Sequence, residues 1–171
     1  MSKKGQAAME FLMTYGWAIV VVLAAIGALA YFGVLSPQKL LPDRTTFSAP
    51  IPNVDNAVVT LSTNSVQIAF KNNKGVDITL PMTATGTGNC NGAIANVTGT
   101  YTDAAGAQQN LDAATHIQNG GGFLLTFECP NAVTAGTQIG SKFKADISFP
   151  YVNAETGQQL SQTGSVEGKY S

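Results

Sequence analysis

The sequence is poor in the residues that most active sites and metal sites need. Its 171 residues include a single histidine, His116, and only two cysteines, Cys90 and Cys129. Because a structural zinc site usually takes four Cys or His ligands, we expect no metal site and no cofactor. His116 lies in a polar segment typical of a solvated surface, and the common nucleophile arrangements would all depend on it. No catalytic residue is therefore predicted, and an enzyme is the least favoured class of protein.

Charged residues are also scarce, and they are unevenly placed. Asp, Glu, Lys and Arg make up 11% of the chain, with 9 basic against 10 acidic residues, where globular proteins usually have ~25%. This balance argues against a nucleic-acid partner, which requires a basic surface. No charged residue occurs between Phe11 and Gln38. The distribution predicts a membrane helix joined to a soluble domain.

The long uncharged stretch predicts a helix that crosses a membrane. Residues 11–35 form a run of 25 residues without a charge, and about 20 are enough to cross a bilayer as a helix. Pro37 ends the helix because proline disfavours helical geometry in the residue before it. Lys3 and Lys4 place the N-terminus in the cytoplasm by the positive-inside rule. A secretory signal peptide has a shorter apolar run and a small-residue cleavage site, so we expect the helix to remain in the mature protein.

The residues before the apolar run form a recognisable combination. The tract KKG is followed by QAAMEF and then directly by the long helix, and in this order it resembles the class III signal peptide of archaeal type IV pilins. The resemblance implies that a prepilin peptidase cuts between Gly5 and Gln6 on the cytoplasmic side. Gln6 then becomes the first residue and Glu10 the fifth-position glutamate. The serine often found two residues after the glutamine is replaced here by Ala8.

Glu10 has two interpretations. In a simple membrane anchor its carboxylate would lie at the headgroup level and be solvated. In a pilin, cleavage gives Gln6 a new α-ammonium four residues before Glu10, on the same face of the helix. A paired charge is tolerated in an apolar helix bundle where a single charge is costly, so the pair would fix the register of neighbouring subunits. Several small residues would let the backbones of such helices approach closely: Gly16, Ala24, Ala25, Gly27, Ala28 and Ala30.

The rest of the chain has the pattern of a β domain. Apolar residues alternate with polar ones in several runs, and no long helical period follows Pro42. Asn72-Asn73-Lys74-Gly75 predicts a hairpin turn between two of these runs, and the segment 155–158 predicts another near the end. We expect an α+β chain, in which a long N-terminal hydrophobic helix precedes an all-β, Ig-like sandwich. The clearest strands are 66–70, 76–80, 123–127 and 143–149, and weaker ones are 58–61, 94–101 and 160–170.

These interpretations divide the chain into four segments. They are a cleaved leader 1–5, a transmembrane and filament-core helix 6–36, a linker 37–44 and an extracellular β domain 45–171. In that oxidising location Cys90 and Cys129 are expected to form a disulfide, which would contribute about 4 kcal/mol by closing its loop; two free thiols are the alternative. Asn96 begins the only N-x-[ST] sequon, where N-glycosylation is possible if the cell has the machinery.

The favoured hypothesis is a structural pilin that polymerises through its helix and displays the β domain for adhesion. The resemblance implies four kinds of partner: the prepilin peptidase, a pilus assembly ATPase, a membrane platform protein and further copies of the chain. The precursor would lie in the cytoplasmic membrane and the mature protein in an extracellular filament. The main alternative is an uncleaved, single-pass membrane-anchored extracellular binding module, and an archaellin is a third.

Overall fold

The structure is a computed structural model, and it describes residues 3–31, 42–94, 96–103, 105–130 and 137–171. The chain divides into two compact units, Met1–Leu41 and Pro42–Ser171. The predicted end of the helix at Ser36 and most of the predicted linker 37–44 lie outside the described residues.

The first unit contains the predicted helix. Helix α1 comprises Lys3–Tyr31, 29 residues, and is apolar on all sides from Met9 onwards. It begins before Gln6, so the KKG tract is helical as well. The region Met9–Tyr31, 23 residues, is long and apolar enough to cross a membrane.

The second unit is built from short antiparallel strands, as the alternating pattern predicts. Within the described residues there are eleven strands and one short 3-10 turn, Gly88–Cys90. The strands are β1 (Arg44–Phe47), β2 (Val58–Thr60), β3 (Ser65–Lys71), β4 (Ile78–Thr79), β5 (Ala84–Gly86), β6 (Gly92–Ile94), β7 (Val97–Thr102), β8 (Gln108–Asn110), β9 (Gly122–Glu128), β10 (Lys142–Asn153) and β11 (Gln159–Lys169).

These strands form two sheets. The first sheet has the order β1-β11-β10-β5-β6, and β4 also pairs with β10. The second sheet has the order β2-β3-β9-β7-β8. Every pairing between the named strands is antiparallel. The α+β class is therefore confirmed at this level: one apolar helix precedes a domain of two antiparallel sheets.

A shared core of aromatic rings joins the two sheets. The Phe70 ring of the second sheet lies 4.9 Å from the Phe47 ring and 5.1 Å from the Phe149 ring of the first, measured between ring centroids. Phe127 also packs on Phe149, at 6.0 Å. All four side chains are buried. Edge-to-face and tilted ring pairs of this kind stabilise a core beyond the area that they bury.

The predicted hairpin at Asn72–Gly75 is wrong. Strand β3, before it, pairs with β2 and β9 of the second sheet, whereas β4, after it, pairs with β10 of the first. The segment therefore crosses between sheets. The buried Asn72 fixes this crossing, because its side-chain Nδ2 lies 2.9 Å from the Val76 carbonyl and 3.0 Å from the Ile117 carbonyl. These side-chain hydrogen bonds to backbone carbonyls take the place of the backbone hydrogen bonds that a hairpin would have formed.

Two other strand predictions have different outcomes. The predicted strand 94–101 is divided between β6 of the first sheet and β7 of the second, so it is another crossing. The predicted hairpin at 155–158 is confirmed, because β10 and β11 pair from Lys142 with Lys169 up to Val152 with Gln159. Gly157 in its turn has φ +68°, a backbone conformation that glycine adopts without strain.

A glycine opposite Phe47 offers a test of the packing between β1 and β11. A Cβ at Gly164 would overlap the ring of the buried Phe47, its register partner. We expect Gly164→Ala to lower the free energy of unfolding by about 1–3 kcal/mol, since the ring must move. Gly168→Ala on the same strand is the matched control: its Cβ would find its nearest neighbour, Val59 Cγ2, at 3.5 Å, an ordinary contact. Guanidinium denaturation measures both, and equal effects would contradict this packing argument.

Candidate assembly helix and processing site

The most exposed apolar surface in the described residues is that of α1. In the described part of the region Met9–Tyr31, every residue is exposed apart from the half-buried Gly16. Met13 is 80% exposed, Trp17 71% and Leu23 63%. Contiguous apolar surface on this scale marks a region that contacts lipid or another protein.

Two glycines of α1 have no structural role that is visible within the chain. A Cβ added at Gly16 or at Gly27 would have no neighbouring atom within 4 Å. Glycine inside a helix costs about 1 kcal/mol relative to alanine. Alanine would therefore favour the helix more at both positions, and it would fit at both. They are eleven residues apart, about three turns, and lie on nearly the same face. The missing side chain at each of these two positions lets another helix approach closely there.

Glu10 is the only charged residue in the described apolar region Met9–Tyr31. Its carboxylate is exposed, and its backbone oxygen accepts a 2.9 Å hydrogen bond from the Thr14 hydroxyl. The one ion pair between described side chains joins Lys144 and Glu167, in the β unit. Within the described part of the chain, the Glu10 carboxylate thus has no cation to pair with.

Gln6, the residue that follows the predicted cut, lies four residues before Glu10. In the uncut chain Gly5 and Gln6 are in the first turn of α1. The side chain of Gln6 lies outside the described residues. Residues four apart are neighbours on one helix face, so an α-ammonium on Gln6 would lie beside Glu10. The structure therefore places the two positions of the predicted pair on one continuous helix.

Aromatic side chains mark both ends of the apolar region, a feature that our sequence analysis did not use. Phe11 and Tyr15 lie one turn apart with ring centroids at 4.5 Å, and Trp17 follows. Tyr31 is the last described residue of the helix and is 86% exposed. Aromatic residues concentrate at the two interfaces of a bilayer, and the pattern is typical of a spanning helix.

The predicted disulfide is confirmed. Cys90 and Cys129 form a bridge, and both residues are fully buried. Cys90 ends the 3-10 turn that packs on β10 of the first sheet, while Cys129 directly follows β9 of the second sheet. The Cys129 N–H donates to the Asn64 carbonyl at 2.8 Å, which fixes its position. The bridge therefore connects the two sheets covalently.

The predicted sequon and His116 are both at the surface. Asn96 and Thr98 are exposed and Val97 between them is buried, so the amide and hydroxyl of the sequon lie outside the core. His116 is exposed, as predicted. No group of three or more His, Cys, Asp or Glu side chains suited to a metal ion occurs among the described residues.

No protein-family model matches this sequence, and no curated protein matches it. The function must therefore be inferred from the chain's own residues. Those that bear on it are the exposed apolar helix with its single carboxylate, the bridge between the sheets and the exposed Asn96.

Proposed function

We propose that this chain is a structural subunit of an extracellular filament of the archaeal type IV pilus class. The observation that carries the proposal is the helix Met9–Tyr31, which is apolar all round, has exposed side chains wherever they are described and carries one carboxylate at its start. Burial of apolar surface contributes about 25 cal/mol per Å². A bilayer covers this surface in the precursor, and the helices of sister subunits cover it in the filament.

The charge on the helix gives the polymer its register. Cleavage before Gln6 creates an α-ammonium, and Glu10 supplies the only described carboxylate near it. An unpaired charge in an apolar bundle is strongly unfavourable, while a hydrogen-bonded pair is tolerated. Where each ammonium pairs with the carboxylate of the next chain, only one stacking register satisfies this condition.

The proposal assigns the remaining segments as well. Residues 1–5 are the leader that a prepilin peptidase removes, and residues 45–171 are an Ig-like β-sandwich displayed on the filament surface for adhesion. Supporting the latter are the two antiparallel sheets, their shared aromatic core and the bridge between them. An assembly ATPase and a membrane platform protein are the partners that such a filament requires.

Removal of the leader gives a direct test of this proposal. We expect protein recovered from the cell surface to begin at Gln6, and Gly5→Leu to retain Lys3 and Lys4, because the peptidase must accommodate the residue before the cut. Gly27→Ala, a glycine substitution within the helix, is the matched control and should be processed normally. Intact-mass spectrometry distinguishes these species. Native protein that keeps Lys3 and Lys4 would instead support an uncleaved membrane-anchored binding module.

We also propose that Asn96 carries an N-linked glycan. Its exposure and that of Thr98 support this assignment, because the modifying enzyme must reach both residues. The same mass spectrum reports the glycan as added mass on the peptide that contains Asn96.

A further inference from the structure

A small depression lies beside the sequon, at the end of the second sheet where β9 ends and β7 begins. Its volume is about 170 Å³, and it is lined by Thr63, Asn64, Asn96, Glu128, Cys129 and Pro130. Sites for free small molecules usually enclose about 300–1,000 Å³, so this depression is too small to bury such a ligand by itself. It has room for a single small ring, and the residue that would carry a glycan is part of its wall.

The pairing of β7 with β9 places two of the lining side chains next to each other. Val97 and Phe127 are register partners, and both are buried in the core. Because successive side chains of a strand point to opposite faces, Asn96 and Glu128 have theirs on the outer face of the sheet. The Glu128 N–H donates to the Asn96 carbonyl at 3.1 Å, so the two residues lie directly opposite each other. Their Cβ atoms are then about 4.5–5.5 Å apart.

The turn between β2 and β3 forms another wall of the depression. Ser65 is the register partner of Glu128 on its other side, and its hydroxyl shares a 2.6 Å hydrogen bond with the Thr63 hydroxyl. The Asn64 carbonyl accepts the N–H of the disulfide-bonded Cys129 at 2.8 Å. The turn is therefore held in place on the protein side, and walls ordered in advance reduce the entropy that binding costs.

The lining has the chemistry that a neutral sugar requires. The Thr63 hydroxyl and the Asn64 amide can both donate and accept hydrogen bonds, whereas the Glu128 carboxylate accepts them. Pro130 adds an apolar ring, against which the C–H face of a sugar can pack. The described lining residues include one carboxylate and no lysine or arginine. An acidic sugar would therefore be repelled from this position.

We infer that the depression holds the first sugar of a glycan on Asn96, and that this sugar is neutral and donates a hydrogen bond to Glu128. The inference rests on the glycan proposed above and adds its contact with the protein. The covalent bond to Asn96 Nδ2 keeps the sugar at a high effective concentration beside the depression, so even a weak contact is occupied. The glycan is then a structural part of the domain, because it connects the start of β7 with the end of β9 and with the turn before β3.

Hydrogen exchange on the full chain in detergent tests this inference. Protein isolated with its native modification is compared with Thr98→Val, which destroys the sequon but leaves every lining residue in place. We expect the amides of Asn64 and Cys129 to exchange about three- to tenfold more slowly in the glycosylated protein, since local opening must first release the sugar. Glu128→Ala should remove this difference between the glycosylated chain and its Thr98→Val counterpart. Glu155→Ala, an exposed glutamate outside the lining, is the matched control and should preserve it.

Mass spectra of the peptide that contains Asn96 complete the test. A hexose or an N-acetylhexosamine directly on Asn96 would support the inference, and a uronic acid there would overturn it. A glycan that leaves the exchange of Asn64 and Cys129 unchanged, or whose protection survives Glu128→Ala, would overturn the contact and leave the glycan itself established. An unmodified Asn96 would overturn the contact and the glycan together. The pilin proposal is decided separately, by a chain that begins at Gln6 and forms filaments.

Discussion

Filaments are expected to be lost when Glu10 is replaced by alanine, although the precursor is still processed and inserted in the membrane. The substitution leaves the α-ammonium of Gln6 without its carboxylate in an apolar bundle. Removing one member of a buried ion pair costs about 3–5 kcal/mol. For each subunit that enters the polymer, this cost raises the critical concentration by about two orders of magnitude or more. Electron microscopy of shed surface material, together with sedimentation of the fibres, measures the effect.

Two control variants separate charge pairing from general damage. Glu10→Asp keeps the charge and should retain some assembly, with disordered fibres because its side chain is shorter. Glu155→Ala removes an exposed carboxylate from the turn between β10 and β11, and it should assemble like the wild type. Normal filaments from Glu10→Ala would remove this residue from the mechanism. A wild-type chain that never polymerises after its leader is removed would contradict the filament proposal itself.

The second large effect is expected from loss of the disulfide. Replacing both Cys90 and Cys129 by alanine should lower the free energy of unfolding by about 4 kcal/mol, because the unfolded chain is no longer constrained by a closed loop of about 40 residues. The melting temperature of the β domain should fall by roughly 10–20 °C. Guanidinium denaturation of the full chain measures the first quantity and thermal denaturation the second, each followed by near-ultraviolet circular dichroism.

Reduction of the wild type provides the control for this substitution. Both cysteines are fully buried, so the folded protein should resist a mild reductant, whereas protein reduced while unfolded should refold with the stability of the double variant. A double variant within about 1 kcal/mol of the wild type would mean that the bridge adds little to the shared core.

The parts of the fold that follow from local patterns could be predicted. The helix was identified because so long a run without charges is typical of a membrane-spanning helix and is rare in the core of a soluble domain. Strand β10 was identified because Phe143, Ala145, Ile147 and Phe149 alternate with polar residues, and all four are buried, as is Tyr151 beyond them. In both cases the pattern that decides the element, an unbroken apolar run or an alternation of apolar and polar residues, is visible in the sequence itself.

The pairing of the strands could not be predicted in the same way. The alternation on both sides of Asn72 predicts two strands, and the residues up to Gly75 favour a tight turn, so a hairpin followed from local evidence. In the structure, the Asn72 side-chain amide instead donates a hydrogen bond to the carbonyl of Ile117, a residue 45 positions further along the chain. A hydrogen bond between residues so far apart leaves no mark on the local alternation of apolar and polar residues. The strands on either side of Asn72 therefore could not be assigned to different sheets from the sequence.

The candidate sites differ in the same respect. Gly5, Gln6 and Glu10 were found because their motif is contiguous. The depression lined by Asp103 and His116 was not predicted, since these two residues lie on separate loops that only the sheet brings together.

The position of β1 links the two ends of the β domain. This strand is the first described element after residues 32–41, and it lies antiparallel beside β11 over four paired positions, from Arg44 to Phe47. Strand β11 is the last named strand of the domain, and it pairs with β10 on its other side. A chain that ended before β11 would therefore leave β1 without its neighbour, and the domain would loosen at its first strand as well as at its last.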